Sequence, residues 1–212
     1  WLDDPSSLQT TIIDKIIPTD LNVLLGLQES YLATLSSKLG RGDLVPYFIK
    51  RLDDRRKYFT QIKKEGRYPD FHIGEEEWVP KSVYPTDYLA SMLFSESQSM
   101  KNIFKDLVNP ASSEINTEQQ WDSPNVWAPN NWILHEVAPF DEAVTFAKQW
   151  IKTTFCSWKK TGNLYEKYRN DAFGERGQGG EYVVQTGFGW TNGLALHYLS
   201  LYGDTYTVGN CE

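Results

Sequence analysis

Cysteine and histidine are scarce: the 212 residues hold two cysteines, Cys156 and Cys211, and three histidines, His72, His135 and His197. The cysteines stand far apart, so neither a disulfide scaffold nor a CxxC metal or redox motif is expected. Cys156 falls in an apolar helical pattern and reads as a small buried hydrophobe rather than a nucleophile. The histidines form no HxxxH or HExxH pair, so each is expected at the surface or in a cap, and no metal is expected. No apolar run is long enough to span a bilayer, and no signal-peptide pattern opens the chain. The first residue is Trp1 rather than Met, and from this we expect sequence upstream. There is no GxSxG elbow for a strained serine nucleophile. Strand series of period two are missing as well, and so is an obvious internal repeat.

Clustered basic charge is also lacking. With 21 Lys and Arg against 28 Asp and Glu, the net charge is -7, and the acidic residues are spread along the chain. Phosphate neutralisation needs clustered cations, so no nucleic-acid partner is expected and a neutral ligand fits better. What the chain has in quantity is aromatic surface, 8 Trp and 12 Tyr. Such rings fill cores, and they also stack on the apolar faces of sugars.

Helical spacing dominates. Leu21, Leu24, Leu25, Leu32, Leu35 and Leu39 make one face of a helix capped by Asp20 and ended near Gly40. A second helix is read from Leu44 to Glu65, with Phe48, Leu52, Tyr58, Phe59 and Ile62 inside and Arg51, Asp53, Asp54, Arg55 and Arg56 mostly solvated. Residues 67–85 read as a loop with a short hairpin. Asp87 can cap a helix through Phe94, and Ser97 to Val108 gives another, ended by Asn109-Pro110. Residues 118–129 show neither period and read as a structured loop, with a helix resuming near Asn131. The clearest helix runs from Phe140 to Lys160, on the stripe Ala143, Phe146, Ala147, Trp150, Ile151, Thr154 and Trp158, and is stopped by Gly162. The last spans Trp190 to Tyr202, with Leu194, Tyr198 and Leu201 inward. Consecutive helix pairs joined by long loops suggest an all-α α/α toroid whose loops build a pocket at one end.

Two loops could carry chemistry. In Gln120-Trp121-Asp122-Ser123-Pro124-Asn125-Val126-Trp127-Ala128-Pro129, two indoles, an amide and a carboxylate sit on a proline-stiffened backbone, a preorganised surface for polyhydroxylated ligands. The same indoles could equally wedge against neighbouring helices. The second loop holds Glu166 and, fifteen residues on, Glu181 within Gly179-Gly180-Glu181-Tyr182. Glycosidases place two carboxyl groups across the scissile bond, one to protonate the leaving oxygen and one to activate water or attack carbon. From spacing alone, a surface hairpin with two solvated glutamates explains these residues as well. A phosphate cradle is set aside, because Gly177-Gln178-Gly179-Gly180 follows no strand and precedes no Lys-Ser or Lys-Thr.

These motifs resemble the trehalase family. Residues 120–129 are similar to its QWDxPxxWxP signature, and Glu166-Lys167-Tyr168, Gly179-Gly180-Glu181-Tyr182 and 187–193 to its EKY, GGEY and GFGWTNG run, in the same order. Ile17-Pro18-Thr19-Asp20-Leu21-Asn22 resembles the segment that follows the motif bearing the family's acid. The resemblance implies an (α/α)6 toroid, here about the C-terminal half of its helical pairs, with residues 1–212 forming the C-terminal portion of the catalytic domain. It implies inverting hydrolysis of α,α-trehalose to two glucoses, without cofactor, using an Asp acid and a Glu base. Glu166 would be the base. Glu181, Gln120, Trp121, Asp122 and Trp127 would bind sugar, and the acid and the N-terminal remainder of the domain would lie upstream. The family's PGGRFxExYxWD signature and its arginine-bearing motifs are absent, Gln178 interrupts the glycine run, and Arg169 stands where Asp often follows EKY. Two alternatives remain: a non-catalytic sugar-binding or assembly module, and a toroid glucosidase for another disaccharide. The compartment is left open, with a secreted or membrane-anchored full-length protein favoured.

Overall fold

A computed structural model describes residues 12–75, 77–79 (backbone only), 83–99, 112–113, 116, 119–180 and 182–211. They belong to two compact units: residues 12–81 with 86–97, and the remainder. No described helix is long and apolar enough to cross a membrane.

In the first unit, α1 (Thr19–Lys38) packs against α2 (Val45–Ile62). Pro46 sits in the first turn of α2, where its missing N–H costs nothing. Leu52, Phe59 and Ile62 of α2 are buried as expected, whereas Phe48 and Tyr58 are only partly so. The inward face of α1 differs from the expected one. Val23, Gly26, Glu29 and Ala33 are buried, while Leu21, Leu24, Leu35 and Leu39 are half or more exposed. Small residues decide this: a Cβ on Gly26 would already lie 3.0 Å from Leu93 Cδ2, so the Gly26 and Ala33 side admits close neighbours. Glu29 brings Arg55 inward with it, accepting from Arg55 Nε at 2.8 Å and Arg51 Nε at 3.0 Å, so Arg55 is not solvated. Nor does Asp20 cap α1; the N–H of Thr19 donates to Asp70 Oδ1 at 2.7 Å.

The hairpin read in 67–85 is present. β1 (Ile16–Ile17), β2 (Asp70–His72) and β3 (Glu77–Val79) form an antiparallel sheet in that order, and Pro85–Phe94 is a 3-10 helix. The helix expected over 97–108 falls almost wholly outside the described residues.

In the second unit, β4 (Asn125–Trp127) runs into α3 (Ala128–Val137), followed by α4 (Phe140–Thr161), β5 (Lys167–Arg169) and α5 (Gly189–Tyr202). α4 buries the expected stripe except Trp158, which is 57% exposed. Gly162 ends it in the left-handed region, its N–H reaching Trp158 O at 2.7 Å. In α5, Leu194 and Tyr198 face inward but Leu201 does not. The segment 118–129 is not wholly a loop, since β4 pairs antiparallel with β5.

The cysteines overturn their sequence reading. Cys156 and Cys211 form a disulfide with Cα atoms 5.5 Å apart, tying the C-terminal tail to α4. The histidines are not isolated either. His72 Nδ1 accepts the Glu75 N–H at 2.9 Å, and His135 bridges Glu136 and the Tyr202 hydroxyl. Among the described residues no three His, Cys, Asp or Glu side chains gather as metal ligands do.

Candidate active site

The pairing of β4 with β5 brings the two chemistry-bearing loops together. Its register sets Trp127 opposite Lys167 and Val126 opposite Tyr168, so the QWD loop and the EKY segment share one small ribbon. Glu166 immediately precedes β5 and is fully buried. Its backbone N–H donates to Gln185 O at 3.0 Å, and the Gln185 N–H donates to Glu166 Oε2 at 3.2 Å. The other carboxylate oxygen, Oε1, has no hydrogen bond among the described residues and lies 3.8 Å from Lys167 Nζ.

Lys167 is as deeply buried as Glu166. Its ammonium donates to Gly179 O at 2.8 Å and stands 5.1 Å from the centre of the Trp127 ring system. Burial lowers its pKa below the ordinary lysine value, and the neighbouring Glu166 charge works in the opposite direction.

Trp121 stacks on Trp127 with centroids 4.3 Å apart and planes at 16°, and Trp190, from the first turn of α5, meets both edge-on. Trp127 is 1% exposed and its Nε1 donates to Gln120 O at 2.7 Å, so this indole supports the cluster from beneath. Trp121 and Trp190 keep open surface. Asp122 is buried and accepts the Ser113 hydroxyl at 3.1 Å, anchoring the loop rather than facing outward. Gln120 Oε1 is buried without a hydrogen-bond partner among the described residues. Glu181 lies outside the described residues.

The glycine-rich loop packs on the QWD loop. A Cβ on Gly177 would come within 2.5 Å of Asn125 Oδ1, and one on Gly180, whose φ is +91°, within 2.9 Å of Gln120. Only residues without a side chain allow that approach. Asn125 Oδ1 then accepts the Gln178 N–H at 3.0 Å. Residues 176–180 and 182–184 line a hollow of about 480 Å³, and a second of about 430 Å³ lies between Pro129, Trp132, Trp190 and His197. Glu166 is not on the wall of either; it sits beneath the loop that borders the first. Sequence reasoning passed over Lys167, Asn125, Gln185 and Trp190. Of these, Lys167, Asn125 and Trp190 stood inside quoted motifs and Gln185 did not; Asn125 and Gln185 act through contacts 53 and 19 residues away in sequence.

The described residues are mostly helical, and the fold class is that of the (α/α)6 toroids, as solved structures show. Neutral trehalase Nth1 from Saccharomyces cerevisiae aligns with TM-score 0.67 at 15% identity over 88% of this chain and 38% of that one. A mannosylglycerate hydrolase of glycoside hydrolase family 63 from Thermus thermophilus aligns with TM-score 0.62 at 15% identity over 88% of this chain and 48% of that one. Both are (α/α)6 toroids. The trehalase family model matches residues 1–203, and the chain belongs to that family. Curated trehalases are similar throughout: 30% identity to that of Dictyostelium discoideum over the whole chain and 32% to that of Arabidopsis thaliana over 96% of it. The chain spans 41% and 37% of those relatives' lengths.

Proposed function

We propose that this chain carries the general base of an inverting α,α-trehalose hydrolase, with the acid, an Asp, supplied by sequence upstream. The observation that supports it most is the state of Glu166: one carboxylate oxygen is pinned by a backbone N–H, and the other has no hydrogen bond among the described residues and lies beside a buried ammonium. A base needs a fixed geometry and a lone pair left for the incoming proton. Trp121 and Trp190 offer the ring surface against which a glucose stacks. Glu166 would take a proton from water opposite the leaving glucose, the two carboxyl groups standing about 6.5–9.5 Å apart to admit that water.

The test uses the chain extended by its native upstream sequence. Glu166→Gln should lower kcat about 10²–10⁴-fold while leaving trehalose affinity nearly unchanged. A turnover within a few-fold of wild type would remove Glu166 from the reaction. If the unaltered extended protein binds trehalose but never splits it, the non-catalytic module is the correct reading, and maltose and sucrose assayed alongside expose another specificity. Inversion has its own signature. Proton NMR in the first turnovers should show α- and β-glucose in equal amounts, whereas retention gives α-glucose alone.

The exposed Leu21, Leu24, Leu35 and Leu39 face supports a covering partner, the N-terminal remainder of the domain. The Cys156–Cys211 disulfide supports an oxidising compartment, secreted or at the cell surface. Protein isolated under alkylating conditions should then show no free thiol by mass spectrometry; two alkylated cysteines would overturn that placement.

A further inference from the structure

We infer that Lys167 is a positioning residue of the hydrolytic site, a buried cation that holds the Glu166 carboxylate, the glycine-rich loop and the Trp121–Trp127 stack in one arrangement. This inference rests on the reading of Glu166 as base. A lysine with no exposed side-chain surface is unusual, because burying an ammonium is costly unless it is paired. The molecule offers this one three partners, and each belongs to a different piece of the site. Glu166 Oε1 lies 3.8 Å away, Gly179 O accepts its hydrogen bond at 2.8 Å, and the Trp127 ring system lies 5.1 Å from it.

The geometry is more specific than charge balance requires. The 3.8 Å separation exceeds hydrogen-bonding distance, so the ammonium neutralises Oε1 without occupying its lone pair. Its hydrogen bond goes instead to the loop bordering the 480 Å³ hollow. The remaining approach is to the face of the indole on which Trp121 stacks. Among the described residues Glu166 makes no other ion pair. The other partners seen among the described residues are neutral: the Gln185 N–H on the carboxylate, Gln185 O on the Glu166 backbone N–H, and the Thr191 hydroxyl of α5, which donates to the Glu166 backbone carbonyl at 3.4 Å. Removing the cation therefore leaves a fully buried carboxylate with no counter-charge among the described residues.

The experiment compares Lys167→Met, Lys167→Arg, Glu166→Gln and the Lys167→Met/Glu166→Gln double variant in the N-terminally extended protein. Lys167→Met should lower kcat by about 10²-fold and move the acid limb of the kcat/KM profile to higher pH by about one unit. Lys167→Arg keeps a cation and should return the limb to its wild-type position with at least about ten-fold recovery of kcat. A Lys167→Met enzyme whose limb stays in place would overturn the proposal, because a lysine that only fills space alters the amount of folded enzyme and not its titration. Melting temperatures provide the second arm. Lys167→Met should depress the midpoint far more when Glu166 is intact than when it is made in the Glu166→Gln background, and additive shifts would refute the pairing. If Lys167→Met alone cannot fold, recovery of folded protein in the double variant supports the proposal; failure of both alike makes the lysine core packing and overturns it. Glu166→Gln by itself decides the base reading, since retained turnover there sinks that assignment while the melting comparison still reports on the ion pair.

Discussion

Asp70 supplies from β2 the helix cap that α1 lacks in its own sequence. Burial pushes its carboxyl up to about 6, the Thr19 N–H opposing and Asp20 adding to the rise. The folded state then binds the proton more tightly than the unfolded chain. The stabilisation is therefore fully present below the ordinary value of 3.8 and is lost as pH rises through about 6. Asp70→Asn keeps an acceptor for Thr19 and removes the charge. We expect it to raise stability at neutral pH by roughly 1–2 kcal/mol, allowing for partial exposure, with the gain vanishing near pH 4. Denaturant midpoints at the two pH values check this; an equal loss at both would mean that the amide fails as a cap. At this scale the sequence was only partly legible. Glu166 and Trp121 could be picked out through motif resemblance, but the capping role of Asp70 depends on a contact 51 residues away.

At the scale of elements, α2, α4 and α5 were readable because each repeats its apolar positions over several turns. β4 and β5 were not. Three-residue strands are too short to show a period, and their pairing joins segments about forty residues apart. The inward face of α1 departs from its sequence reading for a related reason: its leucines carry the strongest apolar signal, yet contact with α2 and Leu93 selects the small residues. The ribbon and its covering loop make a sharp prediction. Gly177→Ala would force a methyl into Asn125 Oδ1 and, at 2.9 Å, into Lys167 Cγ. We expect about 1–3 kcal/mol of destabilisation and a larger loss of kcat than of substrate affinity, read from melting curves and steady-state kinetics of the extended protein. Unchanged kinetics would show that the loop settles elsewhere when substrate binds.

For the whole molecule, the question is what covers the leucine face of α1. Substitutions at truly exposed positions usually change stability by no more than about 0.5 kcal/mol. In the extended protein we expect Leu24→Glu and Leu35→Glu each to cost about 2 kcal/mol or more, because the remainder of the domain would bury them. Near-neutral effects would leave that face to solvent. The tether between Cys156 and Cys211 has a practical corollary for handling the protein. Its sulfur bridge encloses the EKY segment, the glycine loop and α5 within a 55-residue span. A protease that nicked the backbone anywhere inside this span would not release either piece, so the damage would go unseen on a non-reducing gel and appear as two bands only after dithiothreitol.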